Sequence, residues 1–132
     1  MAKRIASYIA PAMDAANEYT PMRFCQDAKN IVLTFIAAGA TATVKVYGSD
    51  TIAARPLLSA VTSATNLYVP IETINRDTGD VIDGTTGIAY IGAATNNQSY
   101  AINTDGLTWV GVKMTARAAG SVIVKVDMYD NS

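Results

Sequence analysis

A period-two alternation of apolar and polar side chains constrains this chain more than any other feature. Ala42, Val44 and Val46 fall on one side of an extended segment, and the threonine and lysine residues between them fall on the other. The same alternation occurs near the C-terminus in residues 109–114 and 122–128. Successive side chains of a β-strand point to opposite faces of the sheet, so this pattern is typical of strands with one buried face.

Short glycine-containing connections predict how these strands are joined. Residues 117–120 separate the two C-terminal runs, and residues 38–40 separate an apolar run at 31–37 from a second one at 41–48. Each connection has the length of a β-hairpin loop, in which glycine supplies an unusual backbone angle. The sequence therefore predicts two antiparallel hairpins.

Three more strands are predicted at 67–74, 87–91 and 98–103, because each run is bounded by glycine, asparagine, aspartate or proline. Residues 53–65 fit either a loop or a short helix that Pro56 interrupts. Short strands at irregular spacing favour an all-β fold, an antiparallel β-sandwich of the jelly-roll or immunoglobulin-like kind with about seven or eight strands.

The first thirty residues differ from the rest. They hold three of the five methionines, two of the four prolines and the single cysteine, and they show no alternation. We therefore expect an N-terminal arm at residues 1–30 and a β-sandwich domain at 31–132. An arm that binds a neighbouring subunit needs apolar anchors, and the candidates are Met13, Tyr19, Met22 and Phe24.

Composition narrows the classes of partner. Ten basic and eleven acidic residues give a formal charge of −1, which provides no electrostatic attraction to nucleic acid or to an anionic membrane. The apolar runs are too short to span a bilayer. Because Cys25 is alone, no intrachain disulfide can form. We expect no nucleic-acid partner and no membrane partner.

The chain contains no histidine, so the commonest general base and metal ligand is missing. Cys25 consequently has no histidine to activate it as a nucleophile. A pair of carboxylates from Glu72, Asp77, Asp80 and Asp83 is the remaining basis for catalysis, and no other feature of the sequence marks a catalytic cleft. We predict that the protein is not an enzyme and needs no cofactor.

The same acidic stretch has two interpretations. Asp77, Asp80 and Asp83 lie within seven residues and supply oxygen atoms of the type that Ca²⁺ prefers, although their spacing is not that of an EF-hand. Alternatively, each aspartate caps its own backbone in a turn in which Gly79 or Gly84 takes a positive φ. The turn is the favoured interpretation.

A second candidate site combines aromatic side chains with loop amides. Asn97, Tyr100 and Trp109 lie in or beside polar loops, and such a mixture can bind sugar by stacking and hydrogen bonding. A single tryptophan in a β domain is more often packed in the core. Carbohydrate or receptor binding therefore stays an alternative function.

Outward positions on the strands carry little charge. Interfaces between proteins have such surfaces, as do positions covered by another part of the same chain. The residues concerned are Thr41, Thr43, Tyr47, Thr108, Trp109 and Ile123.

Two segments resemble a known class of protein. Ala-Thr-Ala-Thr-Val-Lys-Val-Tyr-Gly-Ser-Asp at 40–50 resembles an early strand of small β-sandwich virion proteins of tailed bacteriophages. Thr-Asp-Gly-Leu-Thr-Trp-Val-Gly-Val at 104–112, followed by Gly-Ser-Val-Ile-Val-Lys-Val at 120–126, is similar to their closing hairpin. The resemblance extends over 31–129 as an order of elements.

This resemblance implies a structural subunit of a virion, commonly a symmetric homo-oligomer made in the host cytoplasm. A capsid decoration, or cement, protein that binds a major capsid protein is the favoured role. The arm would then reach across a neighbour. Fold alone does not determine function, so the role is an expectation.

Overall fold

The computed structural model describes residues 3–50, 58, 68–93, 96–104 and 106–130, without the side chains of 93, 96 and 97. The described residues form nine strands and no helix, and hence no helix long and apolar enough to cross a membrane. The strands are β1 (Arg4–Ile9), β2 (Arg23–Phe24), β3 (Asn30–Ser49), β4 (Val69–Pro70), β5 (Thr73–Asn75), β6 (Val81–Ile82), β7 (Ile88–Ala93), β8 (Asn96–Ile102) and β9 (Trp109–Tyr129).

All strand pairs are antiparallel and belong to one sheet with the order β1-β9-β3-β8-β5-β6. β2 also pairs with β9, while β4 and β7 also pair with β3. The prediction of an antiparallel all-β fold is confirmed. The predicted strands at 87–91 and 98–103 correspond to β7 and β8, whereas the one at 67–74 is replaced by the short strands β4 and β5. Of residues 53–65, only residue 58 is described.

Both predicted hairpins are wrong, because the glycines at their centres bend strands instead of ending them. β3 and β9 are continuous over 20 and 21 residues and pair with each other from Asn30–Tyr129 to Ser49–Trp109. Gly39 and Gly120 lie at the middle of this ladder with φ of 60° and 75°. Register shifts between residues 38 and 44 of β3 accompany the bend.

The bend folds the sheet back on itself. A straight strand of this length spans roughly 65 Å. At the far ends, however, the Cys25 amide donates to the Thr108 carbonyl and the Lys29 amide to the Tyr129 carbonyl. The few residues between Cys25 and Lys29 reach only about 14 Å. The two ends of the β3–β9 ladder are therefore close together, and the single sheet makes both layers of a sandwich.

We call the layer with residues 30–37 and 122–129 half A; it also contains β1, β5, β6 and β8. Half B contains residues 40–49 and 109–116 together with β2, β4 and β7. β8 pairs with β3 in half A, and β7 pairs with β3 in half B. Gly92, near the end of β7, also has a positive φ of 56°. All three central segments thus carry a glycine in the left-handed region near the same bend.

One apolar core lies between the two halves. Along β3 the side chains of the core cluster are at odd positions (Ile31, Leu33, Phe35 and Ala37) before Gly39, and at even positions (Ala40, Ala42, Val44 and Val46) after it. The irregular backbone at the bend changes the parity, so the inner face remains apolar in both halves. From β9 the core receives Val110, Val112, Met114, Val122, Val124, Val126 and Met128.

Residues 4–30 run along the free side of β9. β1 pairs with its C-terminal end, Met13 and Tyr19 form isolated bridges to Val122 and Lys113, and β2 pairs with its first residues. Met13, Met22, Cys25 and Ala28 are buried. The segment expected to be an arm is therefore an interrupted edge strand of this sheet. The domain boundary at residue 30 stays a prediction.

A second, smaller cluster covers the outer side of half B. Met22, Leu58 and Tyr68 are buried there, with Tyr47 and Trp109 packed against them. Gly111 makes room, since a Cβ at this position would lie 2.5 Å from the Met22 sulfur. The weakly charged outward positions Tyr47 and Trp109 are thus covered by this chain.

The same cluster buries a charged group. Lys113 is almost fully buried, and its Nζ donates to the Leu58 carbonyl over 3.3 Å. Burial lowers the pKa of the Lys113 ammonium, because removal from water disfavours its charged form. Leu58 is thereby tied to the outer face of β9.

The two bend glycines form a matched pair for mutagenesis. A Cβ at Gly120 would lie 2.4 Å from the backbone of Gly39, whereas a Cβ at Gly39 meets nothing within 4 Å. We expect Gly39→Ala to cost about 1 kcal/mol for the left-handed backbone. Gly120→Ala should cost a further 1–3 kcal/mol, roughly, for the backbone clash. Urea unfolding of both variants measures the difference, and equal losses would contradict the bend geometry.

Candidate interaction surface

Exposed apolar side chains concentrate on the segment that borders β9. Ile5, Ile9, Tyr19 and Phe24 are between 43% and 66% exposed, and they make up half of the eight large apolar side chains recorded as exposed among the described residues. All four lie on one side of the sandwich, where the N-terminal segment forms the border of both halves. We call this surface the N-terminal edge.

A shallow groove of about 220 Å³, with a mixed polar and apolar surface, lies on the N-terminal edge. Ile5, Ala6 and Tyr8 line it from half A, while Phe24, Cys25, Asp27 and Ala28 line it from the segment that connects half B to half A, together with Met128. The Arg23 guanidinium stacks over the Tyr8 ring at 4.4 Å from the ring centroid, which links the two halves beside the groove.

Two side chains give the groove its character. Phe24 packs edge-to-face on Trp109 with ring centroids 5.5 Å apart, so its position is fixed although half of its surface is open to solvent. Cys25 is buried, and burial raises the pKa of its thiol to about 11. The thiol is consequently neutral at physiological pH and contributes as an apolar wall.

Polar contacts hold the β1 part of the edge on β9. The Asp127 carboxylate is nearly buried and accepts a 2.7 Å hydrogen bond from the Ser7 hydroxyl. Arg4 and Lys125 place their cationic groups 3.8 and 3.7 Å from it. An almost buried carboxylate with these partners is strongly destabilised if they are removed, so β1 has a defined position on β9.

The structure separates the four predicted anchors. Tyr19 and Phe24 are exposed on the N-terminal edge, but Met13 and Met22 are 2% and 1% exposed in the two clusters of this chain. Both methionines are therefore buried by this chain, Met13 in the core between the halves and Met22 in the cluster on the outer side of half B. Ile5 and Ile9 were missed because residues 1–9 show no amphipathic period.

The acidic stretch forms turns. Asn75 Oδ1 accepts from the amides of Asp77 and Thr78, and the Asp80 amide donates to the Thr78 hydroxyl. Asp83 Oδ1 accepts from the amide and the hydroxyl of Thr85 at 2.7 and 2.6 Å, and the hydroxyl bond in particular lowers the pKa of Asp83. Among the described residues no three acidic or cysteine side chains come together as a metal site. The structure thus does not join Asp77, Asp80 and Asp83 into a calcium site.

The predicted sugar-binding residues are also separated. Tyr100 is 2% exposed, packs against Phe35 at 5.5 Å between ring centroids, and donates to Gln98. Trp109 is half-buried beside Phe24 on the outer side of half B. The side chain of Asn97 lies outside the described residues, as does all of Asp105. Glu72 is exposed on the chain between β4 and β5.

A larger polar cleft of about 390 Å³ lies at the open end of the sandwich. It is lined by Gln26, Ala28, Lys29, Asp50, Thr104, Gly106, Leu107 and Thr108, where both connections between the halves pass. The Thr104 hydroxyl donates to the Lys29 carbonyl and ties the two connections together. No local sequence pattern indicates this cleft, because Lys29, Asp50 and Thr104 are far apart in the sequence and the bend of the sheet brings them together.

No protein-family model and no curated protein matches this chain. Among solved structures, its fold is similar to that of a protein described as SPBc2 prophage-derived protein YomS. The TM-score is 0.64 with 11% sequence identity, and the alignment covers 98% of this chain and 95% of the other. This likeness shows a shared fold over the whole chain.

The core assignment of Met13 predicts a contrast with Tyr19. Truncating a buried methionine removes its packing and leaves a cavity, so Met13→Ala should lower the free energy of unfolding by about 2–5 kcal/mol. Tyr19→Ala removes an exposed side chain and should change it by no more than about 0.5 kcal/mol. Chemical denaturation measures the free energy of unfolding of both variants. An unchanged value for Met13→Ala would contradict the assignment of Met13 to the core.

A buried hydroxyl gives a prediction about pH. Among the described residues, the buried Tyr90 hydroxyl has no hydrogen-bond partner, and burial, reinforced by the neighbouring Tyr100, raises the pKa of Tyr90 above its usual value near 10. Its contribution to stability is fully present below pH 10 and is lost as the pH rises towards the folded-state pKa. Tyr90→Phe should therefore flatten the alkaline loss of stability. At pH 7 it should leave stability unchanged or raise it by up to about 1 kcal/mol.

Tyr100→Phe is the comparison at pH 7 only, because burial raises the pKa of Tyr100 as well and its removal also alters the alkaline slope. It removes the 3.0 Å hydrogen bond to Gln98 and should lower stability at pH 7 by about 1 kcal/mol. Unfolding free energies measured from pH 7 to 11.5 compare the two variants with the wild type. An unchanged alkaline slope in Tyr90→Phe would refute the assignment.

Proposed function

We propose that this chain is a non-enzymatic structural protein of a tailed-phage particle, and that it stabilises the particle through protein–protein contacts. Within that class, a capsid decoration or cement protein on the head is the favoured role. Its partners would be the major capsid protein and further copies of this chain. The protein would be made in the host cytoplasm and reside in the virion.

The N-terminal edge is the observation that carries the assembly role. Four large apolar side chains are exposed there, Phe24 is held rigidly by Trp109, and a groove lies beside it. Apolar and aromatic anchors in fixed positions are typical of the energetic centres of interfaces. Since the segment is bound to β9, the proposed contact uses a preformed surface and costs little ordering entropy.

The phage origin has two supports. The fold is similar over 98% of the chain to that of a protein described as prophage-derived. The segments at 40–50, 104–112 and 120–126 resemble strands of β-sandwich virion proteins. These two supports are independent in kind, since one concerns backbone geometry and the other sequence.

A non-catalytic role fits the chemistry of the side chains. The sequence has no histidine, Cys25 is a neutral buried thiol, and Asp83 is engaged in a turn. The proposal includes no cofactor. The formal charge of −1 favours protein partners over nucleic acid or membrane.

The polar cleft supports a second candidate function, a carbohydrate- or receptor-binding module. Its side chains include an amide, an ammonium group, a carboxylate and hydroxyls, which suit the hydroxyl groups of a saccharide. Loops at the end of a sandwich are also common binding sites.

Gradient-purified particles of the phage that encodes the chain test the proposal. We expect mass spectrometry to detect the chain at a fixed ratio to the major capsid protein. Phe24→Asp should lower this ratio at least tenfold, because it places a charge in the apolar surface. Ile91→Asp is the matched control, since Ile91 is 88% exposed on β7, on the opposite side of β3. Absence of the wild-type chain from particles, with saccharide-dependent Trp109 fluorescence, would favour the second candidate.

A further inference from the structure

β1, the strand at one border of half A, has one side that can pair with a further strand. β1 pairs with β9 on one side, and no strand among the described residues lies on its other side. It contains no proline, and two of its six residues are exposed isoleucines, Ile5 and Ile9. Natural edge strands are usually protected by charge, proline or brevity, so an exposed apolar edge indicates a partner strand.

The hydrogen-bonding pattern shows which backbone groups are free to pair. The Ala10 amide donates to the Val124 carbonyl, so amides two and four residues before it also face β9. The amides and carbonyls of Ser7 and Ile9 therefore point away from the sheet. A β-bulge lies at Ile5, and the backbone from Ala6 to Ile9 is regular.

We propose that β1 pairs with β1 of a second copy, antiparallel about Ser7, and joins two half-A layers into one sheet across a two-fold axis. The inference rests on the proposed function in that the chain acts by assembling. It names a second copy as the partner at this edge and leaves Tyr19 and Phe24 for other subunits.

The sequence of β1 is self-complementary in this register. Pairing about Ser7 places Ile5 of each copy opposite Ile9 of the other. Ala6 faces Tyr8 in the same way, so a small side chain meets a large one. Each surface thus matches itself, as an isologous interface requires.

Charge selects the antiparallel direction. The basic residues Lys3 and Arg4 lie at the N-terminal end of β1. In the antiparallel register Arg4 faces Ala10 of the second copy, so the two basic ends are separated. A parallel pair would stack them, and like charges opposite each other are destabilising.

A pair of cysteine variants tests the register. In the Ser7-centred pair, the two Ser7 residues form a hydrogen-bonded pair with Cα atoms about 5.5 Å apart, which is within disulfide range. Oxidised Ser7→Cys should therefore form a covalent dimer, and Ile9→Cys should not, because the two Ile9 residues lie on either side of the axis. Cross-linking of both variants or of neither would overturn the register. Cys25 is buried and present in both variants, so it cannot cause a difference between them.

The mass in solution tests the interface itself. Sedimentation velocity of the full chain should give twice 13.9 kDa at high concentration. Ile9→Lys should raise the dimer dissociation constant at least tenfold. Ile9→Pro, which removes an outward-facing amide, should do the same if it folds. Val81→Lys is the control, since Val81 is 61% exposed on β6 at the opposite border of half A.

A monomeric wild type, or a dimer insensitive to Ile9→Lys, would overturn the proposal. Thermal unfolding of each variant shows that β1 remains on β9. Incorporation into particles is measured in a separate experiment. Failure of the dimer proposal can therefore be distinguished from failure of the proposed phage role.

Discussion

The close contact of Gly39 with Gly120 is the constraint on which the rest of the molecule depends. Two strands of about twenty residues are paired along their whole length, and such a ladder can enclose a core only if both strands bend at the same level. A Cβ at Gly120 would lie 2.4 Å from the Gly39 backbone, so at this position only glycine avoids a backbone clash. From this bend follow the two layers, the single core between them and the open end at which the polar cleft forms.

β9 carries the consequences of the bend to the surface. It is bordered on one side by β3 and on the other by residues 4–24, which follow it around the bend from β1 to β2. This border segment buries Met13 and Met22 and leaves Ile5, Ile9, Tyr19 and Phe24 exposed. A chain that is weakly charged overall thus has four of the eight exposed large apolar side chains among its described residues along one edge.

The edge and the fold support the proposed role from different sides. The likeness to a prophage-derived protein concerns the backbone over the whole chain, at an identity too low for shared site residues. The exposed aromatic and aliphatic side chains concern only this sequence. Under both proposals, Tyr19 and Phe24 in half B and β1 in half A are two separate contacts, one for a different partner and one for a second copy.

The sequence by itself determined the alternating parts of β3 and β9 and their buried faces, because side-chain alternation is a local property that the backbone geometry of a strand enforces. It also identified Asp83 as a turn residue, since the hydrogen bonds of its carboxylate reach only two residues away. Only the tertiary structure decided that Gly39 and Gly120 bend strands instead of closing hairpins. A positive φ serves both purposes, and the choice depends on a partner strand some eighty residues away. For the same reason, the burial of Met13 and Met22 and the exposure of Ile5 and Ile9 were decided by the long-range pairing with β9.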